Sequence, residues 1–226
     1  MTLLAQFFDP DHPSLKVCGI TSEDDATRLV RHGVAALGVN FWPRSKRYCD
    51  PAEARVFLPS LAGQILRVGV FVNNARELAP GLLADNSIDA VQLHGDETLA
   101  ELAHFLELGV PTIRAVALTP EGLPSGLVES LAESSTPSAL LLDAHAPGVY
   151  GGTGRTIDWE AAAQAVQDCL PIPVFLAGGI KPENARRALE VTRPAGLDVA
   201  SGSESAPGVK DFGKVSELQA LFHTQP

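Results

Sequence analysis

The chain has 226 residues, of which 45% are hydrophobic, and its formal net charge at pH 7 is −10. This composition can bury a full core, and the acidic balance argues against nucleic-acid binding, which needs a clustered basic face. There is no run of about 18 apolar residues and no basic segment before an apolar one at the N-terminus, so we expect no membrane span and a cytoplasmic protein. The three cysteines, Cys18, Cys49 and Cys169, are widely spaced, which argues against disulfides and a structural zinc site.

Short β-rich runs alternate with segments of helical period along the chain. The predicted strands are, in order, LKVCGI (near residues 15–20), AALGVNF, ILRVGVFV, AVQLHG, PTIRAVAL, ALLLDA, PVFLAGG and GLDVASG. The predicted helices cover 22–33, 51–61, 75–86, 96–109, 123–135, 158–170, 181–192 and 211–224. Ser22 and Asp158 are expected to cap helix N-termini, and Gly33 and Gly109 to follow helix ends.

Eight strand–helix units demand parallel pairing with right-handed crossovers, which predicts an α/β fold, a single-domain TIM (β/α)8 barrel over residues 1–226. A doubly wound open sheet also alternates strands and helices. That alternative is weaker because no Gly-x-Gly-x-x-Gly turn follows the first strand. No linker or shift in composition divides the chain, and residues 1–14 form an N-terminal extension to which the sequence assigns no function.

Three potentially reactive residues come late on predicted strands. In a TIM barrel the active site lies at the C-terminal ends of the strands, which is where Cys18, His94 and Asp143 fall. Each also has a structural interpretation, because a free cysteine is commonly a small core residue, and an aspartate or histidine at a strand end can cap or support a loop. Cys49 and Cys169, predicted in a loop and a helix, look structural.

Four loops at the same end of the barrel carry further signals. Glycine-rich turns follow strands 7 and 8, where TIM barrels commonly bind phosphate through backbone N–H groups. The loop after strand 2 carries Arg44, Lys46 and Arg47, and the guanidinium fork of arginine suits a carboxylate. The stretch HAPGVYGGTGRTI after strand 6 is typical of a mobile lid. Each signal also has a structural interpretation. The glycines then only allow entry into a helix, the basic loop is only solvated, and the loop after strand 6 is only flexible.

Seven motifs occur in the order of successive barrel strands: KVCGIT, NFWPRSKRY, VGVFVN, VQLHGDE, LLLDA with GGTG, FLAGGIKPENARRAL and GLDVASGSESAPGVKD. Together they resemble the phosphoribosylanthranilate isomerase family of tryptophan biosynthesis. The resemblance implies an Amadori rearrangement of N-(5-phosphoribosyl)anthranilate, a small phosphorylated substrate, to 1-(2-carboxyphenylamino)-1-deoxyribulose 5-phosphate. It implies no cofactor and no metal, and a monomer or homodimer. Ala200 and Ser203 stand where we expect serine and valine, which affects only side-chain contacts to the phosphate.

The resemblance also implies roles for individual residues. Asp143 would be the general acid that protonates the ribose ring oxygen, and Cys18 the general base that takes a proton from ribose carbon 2. A cysteine base needs positive charge nearby, for which Lys16 is a candidate, and an aspartic acid must be partly buried to keep its proton. The residues expected to bind substrate are Arg47 for the anthranilate carboxylate, Gly178, Gly179, Ser201 and Gly202 for the phosphate, and Gln92, His94 and Asp198 for the pocket wall.

Three other functions share part of this pattern. A barrel isomerase of histidine biosynthesis performs the same chemistry with a pair of aspartates, whereas strand 1 here carries Cys18. The synthase of the next tryptophan step would place lysine and glutamate around a similar phosphate site, and no matching strand-end pattern occurs. A non-catalytic barrel that binds sugar phosphates would keep the glycine turns without needing Cys18 and Asp143.

Overall fold

The computed structural model describes residues 2–119, 121–134, 136–144 and 157–222. In this part of the chain eight parallel strands close into a barrel in chain order, with β1 paired to β8, which confirms the predicted TIM barrel. The strands are β1 (Ser14–Cys18), β2 (Ala36–Asn40), β3 (Leu66–Phe71), β4 (Ala90–Leu93), β5 (Thr112–Leu118), β6 (Ala139–Ala144), β7 (Val174–Leu176) and β8 (Gly196–Val199).

The helices that cover the barrel match the eight predicted ones, with one addition at the N-terminus. They are α1 (Leu3–Phe7, the addition), α2 (Glu23–Arg31), α3 (Pro51–Phe57), α4 (Ala75–Ala84), α5 (Leu99–Glu107), α6 (Leu127–Ser134), α7 (Trp159–Asp168), α8 (Pro182–Thr192) and α9 (Phe212–Gln219). Ser22 and Asp158 accept the expected capping hydrogen bonds, and Gly33 and Gly109 have positive φ just beyond helix ends. Within the described residues, none of these helices is long and apolar enough to cross a membrane.

Helix α5 begins at Leu99 rather than at the predicted residue 96. The reason is Glu97, a buried residue whose carboxylate accepts hydrogen bonds from the N–H groups of Asn73 at 2.7 Å and Gly95 at 2.8 Å. These contacts hold the chain in the loop that follows β4. Thr98 is the N-cap of α5 and forms a capping box. Its hydroxyl accepts a hydrogen bond from the backbone N–H of Glu101, and the Glu101 side chain accepts one from the backbone N–H of Thr98.

Alternate residues along each strand separate into two layers, as the period of a strand requires. One layer packs outward against the helices and includes Val17, Val91, Leu140, Leu142 and Leu197. The other fills the barrel interior near its N-terminal end and includes Leu66, Val68, Ile113, Leu141 and Phe175. Towards the C-terminal end the interior positions become polar or reactive, and they carry Cys18, Gln92, Asp143 and Asp198.

The N-terminal extension closes the opposite end of the barrel, a role that the sequence analysis did not assign. Phe7 is fully buried, and its ring stacks on that of Phe175 with the centroids 4.5 Å apart. Ser14 Oγ donates a hydrogen bond to the Phe7 carbonyl oxygen at 3.2 Å. The other side chains clustered with Phe7 include the first residues of four strands, Ala36, Leu66, Ala90 and Ala139. The extension is therefore a plug for the N-terminal mouth.

A small hairpin that the sequence analysis also missed follows β8. Its strands, β9 (Glu204–Ala206) and β10 (Val209–Lys210), pair antiparallel. The backbone N–H of Lys210 donates to Asp25 Oδ2 at 3.3 Å, which fastens the hairpin to α2. The hairpin thus lies beside the C-terminal end of β1.

Candidate active site

A pocket opens at the C-terminal end of the barrel and contains about 700 Å³ of space, including its mouth. Of the ten predicted site residues, Gly202 does not line the pocket, and the nine that do are Cys18, Arg47, Gln92, His94, Asp143, Gly178, Gly179, Asp198 and Ser201. Asn40 and Ser45, which the sequence analysis missed, line it as well.

Cys18 is the last residue of β1 and lies beside a buried ion pair. Lys16 Nζ lies 2.9 Å from Asp198 Oδ1, and both residues are buried. The two are register partners across the seam between β1 and β8. Gly38 in β2 leaves room for this arrangement, because a Cβ there would lie 2.8 Å from Cys18 Sγ and 3.0 Å from Lys16 Nζ.

Burial raises the pKa of the Cys18 thiol, and the carboxylate of Asp198 acts in the same direction. The positive charges of Lys16 and Lys210 oppose the shift. Lys16 therefore acts on Cys18 in the direction that the sequence analysis expected, but burial outweighs it. Burial thus disfavours ionisation of the thiol in the free protein, and further positive charge in the pocket would favour it.

Asp143 on β6 lies at the end of a chain of polar side chains along the pocket wall. Its Oδ1 accepts a hydrogen bond from the N–H of Ala144 at 2.7 Å, and its Oδ2 lies 3.4 Å from His94 Nε2. On the other side of the imidazole, Gln92 Nε2 lies 2.8 Å from His94 Nδ1. With the amide assigned in this orientation, Gln92 donates to Nδ1, and a neutral His94 carries its proton on Nε2, facing Asp143.

Arg47, in the loop after β2, is already paired with a carboxylate. Its Nε and Nη2 each donate to one oxygen of Glu204, both at 2.7 Å. The side chain passes over Gly19, where φ is +82° and a Cβ would collide with Arg47 Cδ. Glu204 was not predicted as a site residue. The only sign of Glu204 in the sequence is its place directly after the glycine turn that follows β8.

Lys210 joins the same network from the hairpin. Its Nζ donates to Glu204 Oε1 at 2.7 Å and to the backbone carbonyl oxygen of Cys18 at 2.6 Å. Burial disfavours the charge of Glu204, but its hydrogen bond to Arg47 and the charge of Lys210 prevail and lower its pKa. Burial lowers the pKa of Lys210 despite Glu204. With all three side chains ionised, two cations and one carboxylate leave a net charge of +1 beside the pocket.

The glycine turn after β7 has a backbone that other residues would strain. Gly178 and Gly179 have φ values of +80° and +66°. A Cβ at Gly178 would lie 3.0 Å from Asp143 Oδ1, so the turn packs directly against the predicted acid. Asn184, in the first turn of α8, donates to the Gly179 carbonyl oxygen at 3.0 Å and so fixes the turn.

The turn after β8 lies against the turn after β7. A Cβ at Gly202 would collide with the Ile180 carbonyl oxygen, so the two backbones meet only because residue 202 is glycine. Ser203, where we expected valine, is buried and donates from its Oγ to the Ala200 carbonyl oxygen at 2.8 Å. Two adjacent glycine turns make a site where backbone N–H groups can hold an anion.

Four other residues singled out by the sequence do not line the pocket. Arg44 and Lys46 are exposed and do not line it, so Arg47 is the residue of that basic loop that reaches it. Cys49 and Cys169 are buried, and burial raises the pKa of each thiol to about 11, which agrees with a structural role. The predicted lid and the GGTG motif fall almost wholly on residues 145–156, outside the described residues.

Comparisons with known proteins were made over the whole chain. A family model described as N-(5'-phosphoribosyl)anthranilate (PRA) isomerase matches residues 15–220. An N-(5'-phosphoribosyl)anthranilate isomerase of Gloeothece citriformis is 37% identical over 209 residues, which cover 92% of this chain and 93% of that protein.

Solved structures give the same result. Phosphoribosyl anthranilate isomerase from Thermotoga maritima aligns with a TM-score of 0.80 and 33% identity over 94% of this chain and all of that chain (100%). A phosphoribosyl anthranilate isomerase in complex with reduced 1-(o-carboxyphenylamino)-1-deoxyribulose 5-phosphate aligns with a TM-score of 0.77 and 32% identity, over 94% of this chain and 100% of that one. The chain therefore belongs to the N-(5'-phosphoribosyl)anthranilate isomerase family.

Proposed function

We propose that Cys18 is the general base and Asp143 the general acid of the reaction for which this family is named. As a member of the family, the chain catalyses the Amadori rearrangement of N-(5'-phosphoribosyl)anthranilate to 1-(2-carboxyphenylamino)-1-deoxyribulose 5-phosphate, a step of tryptophan biosynthesis. The observation that carries the assignment is the meeting of the Cys18 thiol, the Asp143 carboxyl group and two glycine turns in a single pocket.

The reaction needs one proton donor and one proton acceptor. Asp143 would protonate the ring oxygen of the ribose, so that the bond between this oxygen and carbon 1 breaks and the ring opens to a Schiff base. Cys18, as a thiolate whose own proton has passed to solvent, would then take the proton from carbon 2, which gives an enolamine. Gain of a proton at carbon 1 and loss of the hydroxyl proton at carbon 2 convert the enolamine to the ketone, with no net change in protons.

The charges around Cys18 support its role as the base. Burial raises the pKa of the thiol in the free protein, and the cations Lys16 and Lys210 partly oppose this shift. A protonated Schiff base adds a positive charge in the same pocket at the moment when the thiolate is needed. The positive charge that forms on the substrate therefore favours the thiolate of Cys18 at the step that needs it.

The polar chain along the wall holds Asp143 in place for its proposed role as the acid. His94 Nε2 lies 3.4 Å from Asp143 Oδ2, which orients the carboxyl group towards the pocket and offers a route for reprotonation. The adjoining turn at Gly178 brings the proposed phosphate cradle against the same carboxyl group. A substrate held by its phosphate would thus present its ribose to Asp143.

The proposed anion sites fit the two ends of the substrate. The glycine turns after β7 and β8 suit the phosphate, through backbone N–H groups. Arg47 suits the anthranilate carboxylate, because Glu204 occupies its Nε and Nη2 and leaves Nη1 without a partner among the described residues. The net charge of +1 on the network of Arg47, Glu204 and Lys210 favours an anion there.

The decisive experiment follows the turnover of enzymatically generated phosphoribosylanthranilate by the loss of anthranilate-type fluorescence. Cys18→Ala and Asp143→Asn should each reduce kcat by at least about 100-fold, the usual lower bound for a positioned acid or base. Cys49→Ala is the matched control, because Cys49 is a buried thiol that does not line the pocket, and it should keep most of the rate.

Two results would contradict these assignments. If Cys18→Ala retains most of the wild-type rate, another group is the base. If the wild type binds the substrate but turns none of it over, the barrel is a binding protein for sugar phosphates rather than an isomerase.

A further inference from the structure

We propose that Lys210 and Glu204 are positioning residues, which hold the backbone of Cys18 and the guanidinium group of Arg47 in the geometry that the reaction needs. This inference rests on the proposed roles of Cys18 and Arg47 and deepens them. Neither Lys210 nor Glu204 lines the pocket, so both would act through residues that do.

Lys210 is placed to hold the end of β1. Its Nζ donates to the Cys18 carbonyl oxygen at 2.6 Å, at the last residue of β1, which pairs with Gly38 in β2. The lysine is itself fixed at both ends, because its backbone N–H donates to Asp25 Oδ2 at 3.3 Å and its Nζ donates to Glu204. A buried ammonium group with these partners has little freedom to move.

Glu204 is placed to orient the guanidinium group of Arg47. A guanidinium group bound through two parallel hydrogen bonds has a fixed plane as well as a fixed position. The Nε and Nη2 contacts to Glu204, both 2.7 Å, meet this condition and turn the remaining nitrogen, Nη1, away from the carboxylate. Glu204 is in turn fixed by Lys210 and by the backbone N–H of Gly208, which donates to Oε1 at 3.3 Å.

Lys210 also contributes charge at Cys18. The charged groups that act on the thiol are Lys16 on β1, Asp198 on β8, Lys210 on β10 and Arg47 in the loop after β2. Lys16 is neutralised by its direct ion pair with Asp198, and Arg47 by its pair with Glu204. Lys210 adds a positive charge to the pair of Arg47 and Glu204. We therefore expect that removal of the Lys210 charge disfavours the Cys18 thiolate.

The first test measures Cys18 without using substrate. Iodoacetamide reacts with thiolates, and the site of modification is located by peptide mass spectrometry. In Lys210→Met the alkylation rate of Cys18 should rise at a higher pH than in the wild type, and kcat should fall about 10-fold to 100-fold, the cost of a small misplacement. Arg187→Met is the control, because Arg187 is an exposed cation on α8 that does not line the pocket, and it should change neither value.

The second test separates binding from turnover. Glu204→Gln removes the charge that orients Arg47 and keeps the size of the side chain, so KM for phosphoribosylanthranilate should rise about tenfold. The change in kcat should be smaller, because the reacting atoms are held elsewhere. A KM that falls would show that Glu204 merely cancels positive charge, and it would overturn the positioning role.

Folding of each variant is checked by circular dichroism, and Lys210→Gln replaces Lys210→Met if the latter does not fold. If neither folds while Arg187→Met does, Lys210 is a structural residue and the inference is wrong. It is also wrong if the alkylation profile of Lys210→Met matches the wild type. Alkylation reports on Cys18 whether or not Cys18 is the base, so failure of the proposed function would appear separately, as activity in Cys18→Ala.

Discussion

Lys16 and Asp198 form a buried ion pair, 2.9 Å between Nζ and Oδ1, across the seam where the first and last strands close the barrel. Lys16→Met should lower the free energy of unfolding by about 3 kcal/mol, because it leaves an unpaired charge in the interior. Lys16→Met with Asp198→Asn should recover part of this loss, since no buried charge then remains.

Urea unfolding at pH 7 would measure these changes. The control is Lys46→Met, which removes an exposed lysine and should alter the free energy of unfolding by less than about 0.5 kcal/mol. A loss below about 1 kcal/mol for Lys16→Met would mean that Asp198 finds another partner or becomes protonated in the variant.

The Cys18 thiol of the wild type should ionise at a higher pH than an ordinary cysteine. Burial raises its pKa, so the thiolate appears at higher pH than in an unperturbed cysteine, whose pKa is about 8.5. The rate of alkylation of Cys18 by iodoacetamide should therefore reach half its maximum above that pH. Cys49 and Cys169 should react more slowly, because burial covers both and raises their pKa to about 11. A midpoint for Cys18 below pH 8 would contradict the balance of charges described above.

The turn after β7 should tolerate no side chain at Gly178. Gly178→Ala combines a φ of +80° with a Cβ that would lie 3.0 Å from Asp143 Oδ1, so kcat/KM should fall by at least about tenfold. Gly63→Ala is the control, because Gly63 has a similar φ of +73° with no atom within 4 Å of a new Cβ. Activity assays of both variants test this prediction, and equal losses would show that only backbone strain matters.

The N-terminal plug should stabilise the barrel without taking part in the reaction. Phe7→Ala should lower the free energy of unfolding by about 3 kcal/mol, because it empties a fully buried site beside Phe175. Gln6→Ala, at an exposed position of the same helix, should change it by less than about 0.5 kcal/mol. Denaturant unfolding measures both values. A large fall in the kcat of folded Phe7→Ala would contradict the separation of the plug from the site.

Some of the unpredicted contacts join residues far apart in the chain. Arg47 and Glu204 are separated by 157 positions, and Lys210 meets the Cys18 carbonyl oxygen across 192 positions. Neither pair has a periodic pattern or a motif of its own. The plug was missed for a related reason, since α1 has only five residues and becomes helical where Phe7 finds the barrel mouth.

The strand–helix order, the face of each strand on which a residue lies and the end of the barrel that carries the reactive residues could all be predicted from the sequence. These follow from local periodicity, which acts within each segment, and from the geometry of parallel pairing. The pairing of charges, as in Lys16 with Asp198 and in Glu204 with Arg47 and Lys210, depends on the folded barrel. The direction of the pKa shift of Cys18 depends on it as well, because burial and the distances between charges exist only once the barrel has closed.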